Sequence, residues 1–259
     1  MHNLQNELRV AKVIALQAGD CMLAHFDSSP IERKSDDSPV TVADREINSM
    51  VIAELAQQFP ADGVIGEEES TATYGMGRRW ICDPIDGTRA FTWGVPTAMF
   101  SLALAVDGVP MLGVAYDPFL KLMYTGIAGG GSFVNDKRLH VSKEKTLGAD
   151  IAVSSNVEHT ITDPDQQRLV TKLMAKKVRL VCFSGAVYKG CLLARGRIDG
   201  YVESHVSPHD VAAIEIIVRE AGGTVTGYDG KPLDYTQNFK GAVLSNGVTH
   251  PDLLACIQH

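Results

Sequence analysis

The chain has 259 residues, 45% of them hydrophobic and 21% charged, and a formal net charge of −7. This is ordinary globular composition and excludes a disordered chain, a collagen-like repeat and a coiled coil. Lys and Arg total 24 against 31 Asp and Glu, with no basic stripe, so no nucleic acid is expected as a partner.

The five cysteines, Cys21, Cys82, Cys182, Cys191 and Cys256, form no CxxC and are odd in number. They read as reduced thiols in a reducing compartment, not as a disulfide frame or a zinc site. The opening residues MHNLQNELRV lack a basic segment followed by an apolar one, so no leader is expected. The most apolar run, residues 99–106, is far too short to span a bilayer. A cytoplasmic protein with no membrane partner is expected.

In chain order, Leu4, Leu8, Ala11, Ala15, Ala18, Met22 and Phe26 recur at steps of three and four, the period of an amphipathic helix. The polar, breaker-rich residues 28–39 read as a loop. A second helix opens near Thr41, carries Ile47, Val51 and Leu55 on one face and stops before Pro60. Asp44 falls in its first turn, where the helix dipole favours a carboxylate. Strands follow: residues 80–82, then 99–106 and 111–117 about the turn signal DGVP, then 121–127 and 132–142. The first half therefore reads as two helices and an antiparallel meander.

In the second half strands and helices alternate. Strands are expected at 151–155, 179–183, 198–203, 224–226 and 241–246, and helices at 164–177, 185–196, from Pro208 to Gly222-Gly223, and at 250–257. Alternation of this kind implies α/β layers. The boundary between the halves falls near residues 142–148, giving units 1–145 and 146–259.

Three acidic clusters carry the chemistry: GEEES (66–70), DPIDGT (83–88) and SPHDVAA (207–213). Taken singly they read as a solvated loop, a turn and a helix start, the last with Ser207 as cap and Pro208 in first position. Ser207 and Pro208 keep that reading, which leaves Asp210 free on the first turn. Together the clusters crowd carboxylates that only a cation can neutralise, and hard oxygen donors select Mg²⁺ or Mn²⁺. Pro84 turns Asp83 and Asp86 towards a common point, and the Ile85 carbonyl can add a ligand. Gly87 admits a phosphate to the backbone, where turn amides form an anion nest, and Thr88 places a hydroxyl beside the metals. None of the eight histidines forms a convincing ligand pair, since Pro208 separates His205 from His209.

These motifs, with Lys34, SPVTVADRE (38–46), WICDPIDGTRAF (80–91), GVAYDP (113–118), GSFVNDKRLHVS (131–142), GRIDGYVE (196–203), HDVAAIEIIVREAGG (209–223) and LSNG (244–247), resemble the inositol monophosphatase family over nearly the whole chain. The resemblance implies a layered α-β-α-β-α sandwich of the inositol monophosphatase/fructose bisphosphatase type with the active site between its halves. It implies Glu67, Asp83, the Ile85 carbonyl, Asp86 and Asp210 as ligands of two Mg²⁺ ions, with Glu68 lining a weaker third site and Mn²⁺ a possible substitute. Asp83 bridges two ions in this scheme. Thr88, hydrogen-bonded to Asp44, helps activate the attacking water, with Glu67 at the same centre. The Gly87 and Thr88 amides hold the phosphate, Asp86 and Asp210 border the substrate, and Ala186 and Glu203 touch its leaving group. Lys34 falls on the basic residue of an N-terminal loop.

The implied reaction is hydrolysis of a small phosphomonoester by a homodimer, with inositol monophosphate first. Histidinol phosphate is the alternative, followed by fructose 1,6-bisphosphate and 3′-phosphoadenosine 5′-phosphate; a non-enzymatic metal- or phosphate-binding regulator is the rival from another class. Three departures bear on the substrate: His209 where an aromatic residue is usual, SHVSPH between Glu203 and Asp210, and no carboxylate in FSGAVYKG (183–190).

Overall fold

The computed structural model describes residues 4–27, 31–33, 39–149, 152–155, 162–239 and 241–258. Two helices, α1 (Gln5–His25) and α2 (Val42–Gln58), flank a small hairpin of β1 (Ile31–Arg33) and β2 (Pro39–Thr41). A seven-stranded sheet follows, made of β3 (Gly63–Gly66), β4 (Arg78–Asp86), β5 (Met99–Val106), β6 (Val109–Asp117), β7 (Leu122–Ile127), β8 (Gly131–Val134) and β9 (Lys137–Arg138) in that order. From β4 onward it is an antiparallel meander, as the alternating pattern and the Asp107-Gly108 turn imply; β3 joins its edge in parallel.

The remaining elements are β10 (Ala152–Ser155), α4 (Pro164–Ala175), β11 (Arg179–Val181), α5 (Ala186–Ala194), β12 (Gly200–Glu203), α6 (Pro208–Glu220), β13 (Thr224–Thr226), β14 (Ala242–Ser245) and α7 (His250–Ile257). Their strands make a five-stranded mixed sheet in the order β11-β10-β12-β14-β13. Between β4 and β5 lies the short α3 (Thr88–Thr92).

The period-two alternation of the strands sorts the core into layers. Trp80, Cys82, Phe100, Leu102 and Leu104 point to the α1/α2 side, packed on Ala11, Ala15, Ile47 and Val51. Ile81, Met99, Ala103 and Ala105 point the other way, onto α5 and α6. Tyr201, Ala242 and Leu244 of the second sheet meet the same helices, while Val153, Val202 and Val243 face α4 and α7. The result is the α-β-α-β-α sandwich.

Three readings of the sequence needed the tertiary structure. Four residues flanked by glycines carry no periodicity, so β3 was invisible until it paired with β4. Asn135 and Asp136, both at positive φ, break the stretch 132–142 into the β8–β9 hairpin. The strand expected at 179–183 ends at Val181. Among the described residues, no helix is long and apolar enough to cross a membrane.

Candidate metal and phosphate centre

Four elements end at one place. The first is the N-terminus of α2. Thr41 caps it: its backbone N–H and its hydroxyl both donate to Asp44 Oδ2, at 2.8 and 2.6 Å, while the Asp44 amide donates back to Thr41 Oγ1 at 3.4 Å. This reciprocal cap buries Asp44 and orients its second oxygen. Thr88 Oγ1 lies 3.4 Å from Asp44 Oδ1 and 3.0 Å from the Ile85 carbonyl. The Thr88–Asp44 contact implied by resemblance is thus present, as the longer of two alternatives for one hydroxyl proton.

The second is the end of β4. Pairing with β5 is regular through Asp83 and resumes, shifted, at Asp86. Pro84 has no N–H to give the ladder, so the chain bulges there and both aspartates turn to one side. Gly87 then takes φ 82°, a left-handed conformation that a side chain strains. A Cβ at Gly87 would also lie 3.3 Å from Gly185 Cα, the residue before α5.

The third element, α5, is docked on Asp86 itself. The amides of Ala186 and Val187 donate to its two oxygens at 2.8 and 2.9 Å. Ala186 therefore touches the centre through its backbone, while its side chain packs in the core.

The fourth is α6. It lies hard against β6 and β7: a Cβ on Gly113 would fall 2.4 Å from the Ala213 carbonyl, and one on Gly126 would fall 2.9 Å from Ile217 Cα. These two glycines pair across the strands, and Ala212 and Ala213 are small. The close approach carries the start of α6, and Asp210 with it, to the β4 aspartates. Asp210 is not free, as its position alone implied: the Ser207 amide donates to its Oδ2 at 2.6 Å.

Oxygens of Asp83, Asp86 and Asp210 all lie within 4.8 Å of one another. Asp83 is 2% exposed and Asp86 4%. Asp83 Oδ1 is buried with no hydrogen-bond partner. Burial, then the charges of Glu67, Asp86 and Asp210, hold the Asp83 carboxyl well above its ordinary range. Burial and Asp210 push Asp86 up to about 7. Asp210 is raised by burial, a rise offset by His209 and the Ser207 amide. Asp44 is pushed up to about 6, chiefly by burial, with Glu68 and Glu67 adding to it. Crowded, buried and partly orphaned oxygens of this kind fit a hard divalent cation.

Glu67 and Glu68 follow β3, whose loop is tied to α2 by Asn48 Nδ2 donating to the Glu69 carbonyl at 3.0 Å. The Glu67 amide donates to the Cys82 carbonyl at 3.2 Å, so this residue stands beside Asp83. Its carboxylate lies outside the three-aspartate group, yet its charge raises Asp83, Asp44 and Asp210. Lys34 lies outside the described residues.

Glu203 differs from the expectation of a free acceptor. Its Oε2 takes the Lys189 ammonium at 2.5 Å and the Tyr201 hydroxyl at 3.1 Å, while Oε1 is buried without a partner. Lys189 and Glu203 are each 5% exposed at the side chain. The sequence concealed this pair, because a lysine inside GAVYKGCLLARG looks like a solvated helix residue. Tyr74, also missed, has its phenol raised by burial and then by the charge of Asp210; no spacing rule reaches it from α6.

Two sheets, three helix layers and a knot of oxygen donors at a strand end frame a seat for hard divalent cations, and the family that shares them is one of metal-dependent phosphomonoesterases. The chain belongs to the inositol monophosphatase family, whose model matches residues 3–259. It is 36% identical over 253 residues to a histidinol-phosphatase of Chlorobaculum parvum, covering 97% of this chain and 96% of that one. It is 31% identical over 245 residues to inositol monophosphatase 1 of Solanum lycopersicum, covering 90% and 89%. The solved structure of a Thermotoga maritima IMPase superposes with a TM-score of 0.86 at 28% identity, covering 98% and 97%.

Proposed function

We propose that this chain hydrolyses a small hydroxyl-bearing phosphomonoester with Mg²⁺, inositol monophosphate foremost. The observation that carries the reading is the group of Asp83, Asp86 and Asp210, with an orphaned oxygen on Asp83. Glu67, Asp83, the Ile85 carbonyl, Asp86 and Asp210 would hold two ions, and Glu68 would line a weaker third position. When bound, the cations neutralise the phosphate oxygens and stabilise the departing alkoxide.

The chain's own groups do the rest. Asp44, fixed by the Thr41 cap, accepts from Thr88, and the Thr88 hydroxyl so oriented holds the attacking water. The Gly87 and Thr88 amides receive the phosphate. Glu203, with Lys189 and Tyr201, borders the leaving group. Residues 1–145 would supply the first metal ligands and 146–259 would supply Asp210 and the pocket, with the protein acting as a cytoplasmic homodimer.

Histidinol phosphate is the second reading, favoured by the named relative from Chlorobaculum parvum. A protonated amine needs uncompensated negative charge, however. Lys189 cancels the charge of Glu203, and 183–190 contains no carboxylate. This supports a neutral polyol over the amine.

The test is a substrate panel run in EDTA and after adding Mg²⁺ or Mn²⁺. Inositol monophosphate should turn over with the highest kcat/KM, only with metal. Highest turnover of histidinol phosphate, fructose 1,6-bisphosphate or 3′-phosphoadenosine 5′-phosphate would overturn the substrate assignment. Absence of metal-dependent turnover of any of them would favour a regulator. Sedimentation as a monomer would remove the dimer.

A further inference from the structure

A second group of ligand atoms lies on the outer helix layer. Cys21 and His25 are four residues apart, on one face of α1, and Glu46 faces them from α2. Glu46 Oε2 is 3.6 Å from Cys21 Sγ and 3.1 Å from His25 Nε2, and one donor atom from each residue lies within 4.8 Å of the other two. Bonds of ~2.0–2.3 Å in a tetrahedral zinc site separate neighbouring donor atoms by ~3.3–3.8 Å. The distances to Glu46 therefore already bracket a tetrahedral edge.

Both supporting elements are fixed. Phe26, next to His25, packs its ring on Phe91 and Phe119 at 5.5 and 4.5 Å, which pins the end of α1. The Thr41–Asp44 cap pins the start of α2 two residues before Glu46. Local spacing does not signal this group, since the i, i+4 pair is Cys and His rather than two histidines and its third member lies 21 residues further on.

We propose that Cys21, His25 and Glu46 form a second metal site, separate from the aspartate centre, that takes a borderline cation of the Zn²⁺ class. The donor set is one sulfur, one nitrogen and one oxygen, which selects Zn²⁺ or Co²⁺ over Mg²⁺. A fourth position is left for water. Without a cation the thiol keeps its proton and donates it to Glu46; burial and the Glu46 carboxylate push this thiol up to about 11. Binding replaces that proton, which leaves to solvent, and ties α1 to α2.

Cobalt titration tests this. The full-length protein is stripped with EDTA, held in excess Mg²⁺ to fill the oxygen centre, and titrated with Co²⁺. A thiolate-to-cobalt charge-transfer band should rise to one equivalent and be displaced by Zn²⁺; carboxylate ligands give no such band. The band should vanish in Cys21→Ser and persist in Cys182→Ser, whose thiol is exposed. Loss of an outer-shell partner alone costs ~10–100-fold in metal affinity, so His25→Ala should weaken Co²⁺ by about 100-fold or more. Circular dichroism checks that each variant is folded; where one is not, Cys21→Ala stands in for Cys21→Ser, and Glu46→Gln, with the same expected loss of affinity, for His25→Ala. No band in the wild type, or a band that survives Cys21→Ser or disappears with Cys182→Ser, would overturn the site and leave only a surface ion pair.

Discussion

The ammonium of Lys189 rests on the carboxylate of Glu203, 2.5 Å from Oε2 and 4.8 Å from the centre of the Tyr201 ring, with both charges out of water. Removing one member of such a pair leaves the other charge uncompensated, which costs ~3–5 kcal/mol. Glu203→Gln should therefore lower stability by about that amount, and Glu203→Gln with Lys189→Met should recover most of it. Urea denaturation of the three proteins measures this. Equal stability of the single variant and wild type would mean the pair is solvated.

The same carboxylate should read the substrate. Because Lys189 already neutralises it, the bond that its unpartnered Oε1 can offer a hydroxyl is that of an uncharged acceptor, worth ~0.5–1.5 kcal/mol, or ~2–13-fold. At a temperature where the variant is fully folded, Glu203→Gln should reduce kcat/KM for inositol monophosphate by about that factor. Turnover of p-nitrophenyl phosphate, which offers no hydroxyl, should barely change. Equal losses on both compounds would move Glu203 into the water-activating machinery.

Asp83 and Asp86 should respond differently to amidation. Asp83 Oδ1 has no partner, so Asp83→Asn relieves repulsion and should stabilise the metal-free chain by ~1 kcal/mol, or ~2–4 °C in a protein of this length. Asp86 accepts the amides of Ala186 and Val187, so Asp86→Asn turns an N–H towards another N–H and should not stabilise. Activity should fall ~100-fold or more in both, because each removes a cation ligand. Thermal melts in EDTA with steady-state kinetics give the comparison; stabilisation of both or of neither would contradict it.

The stabilisation by Asp83→Asn should grow with pH. Asp86 and Asp44, pushed up to about 7 and 6 from an ordinary 3.8, bind protons more tightly folded than unfolded. What such groups contribute to stability is complete below about 4 and is lost as pH rises through 6 to 7. Repulsion within the centre is thus small at pH 5 and larger at pH 8, and the raised Asp83 carboxyl adds to it as it ionises. Metal-free wild type and Asp83→Asn should melt nearly together at pH 5 and apart at pH 8. His250, whose pKa is lowered by burial, titrates in both proteins and cancels. A gap that does not change with pH would show that the carboxylates are already charged at pH 5.

Gly113→Ala should damage the site from a distance. The new methyl meets the Ala213 carbonyl and Ile216, overpacking that costs ~1–3 kcal/mol, and relief means moving α6. Asp210 moves with it, so kcat/KM should fall even in protein that is fully folded. Gly148→Ala, whose Cβ meets nothing within 4 Å, is the control. Unchanged kinetics in folded Gly113→Ala would mean Asp210 is positioned without α6.

The residues alone determined the two leading helices, the meander and the carboxylates at 83, 86 and 210, because each rests on local rules. Helical period, strand alternation, a proline beside two aspartates and a capped helix start are all written within a few positions of one another. What only the tertiary structure decided are relations between distant positions. Local patterns carry no record of strand pairing, so β3 appeared only against β4. The Gly113–Gly126 seat for α6, the docking of α5 on Asp86, the Lys189–Glu203 pair and the Cys21–His25–Glu46 group each join separate segments. Burial decided their chemistry: the side chains of Lys189 and Glu203 look solvated along the chain, and become a compensated pair only once two sheets close over them.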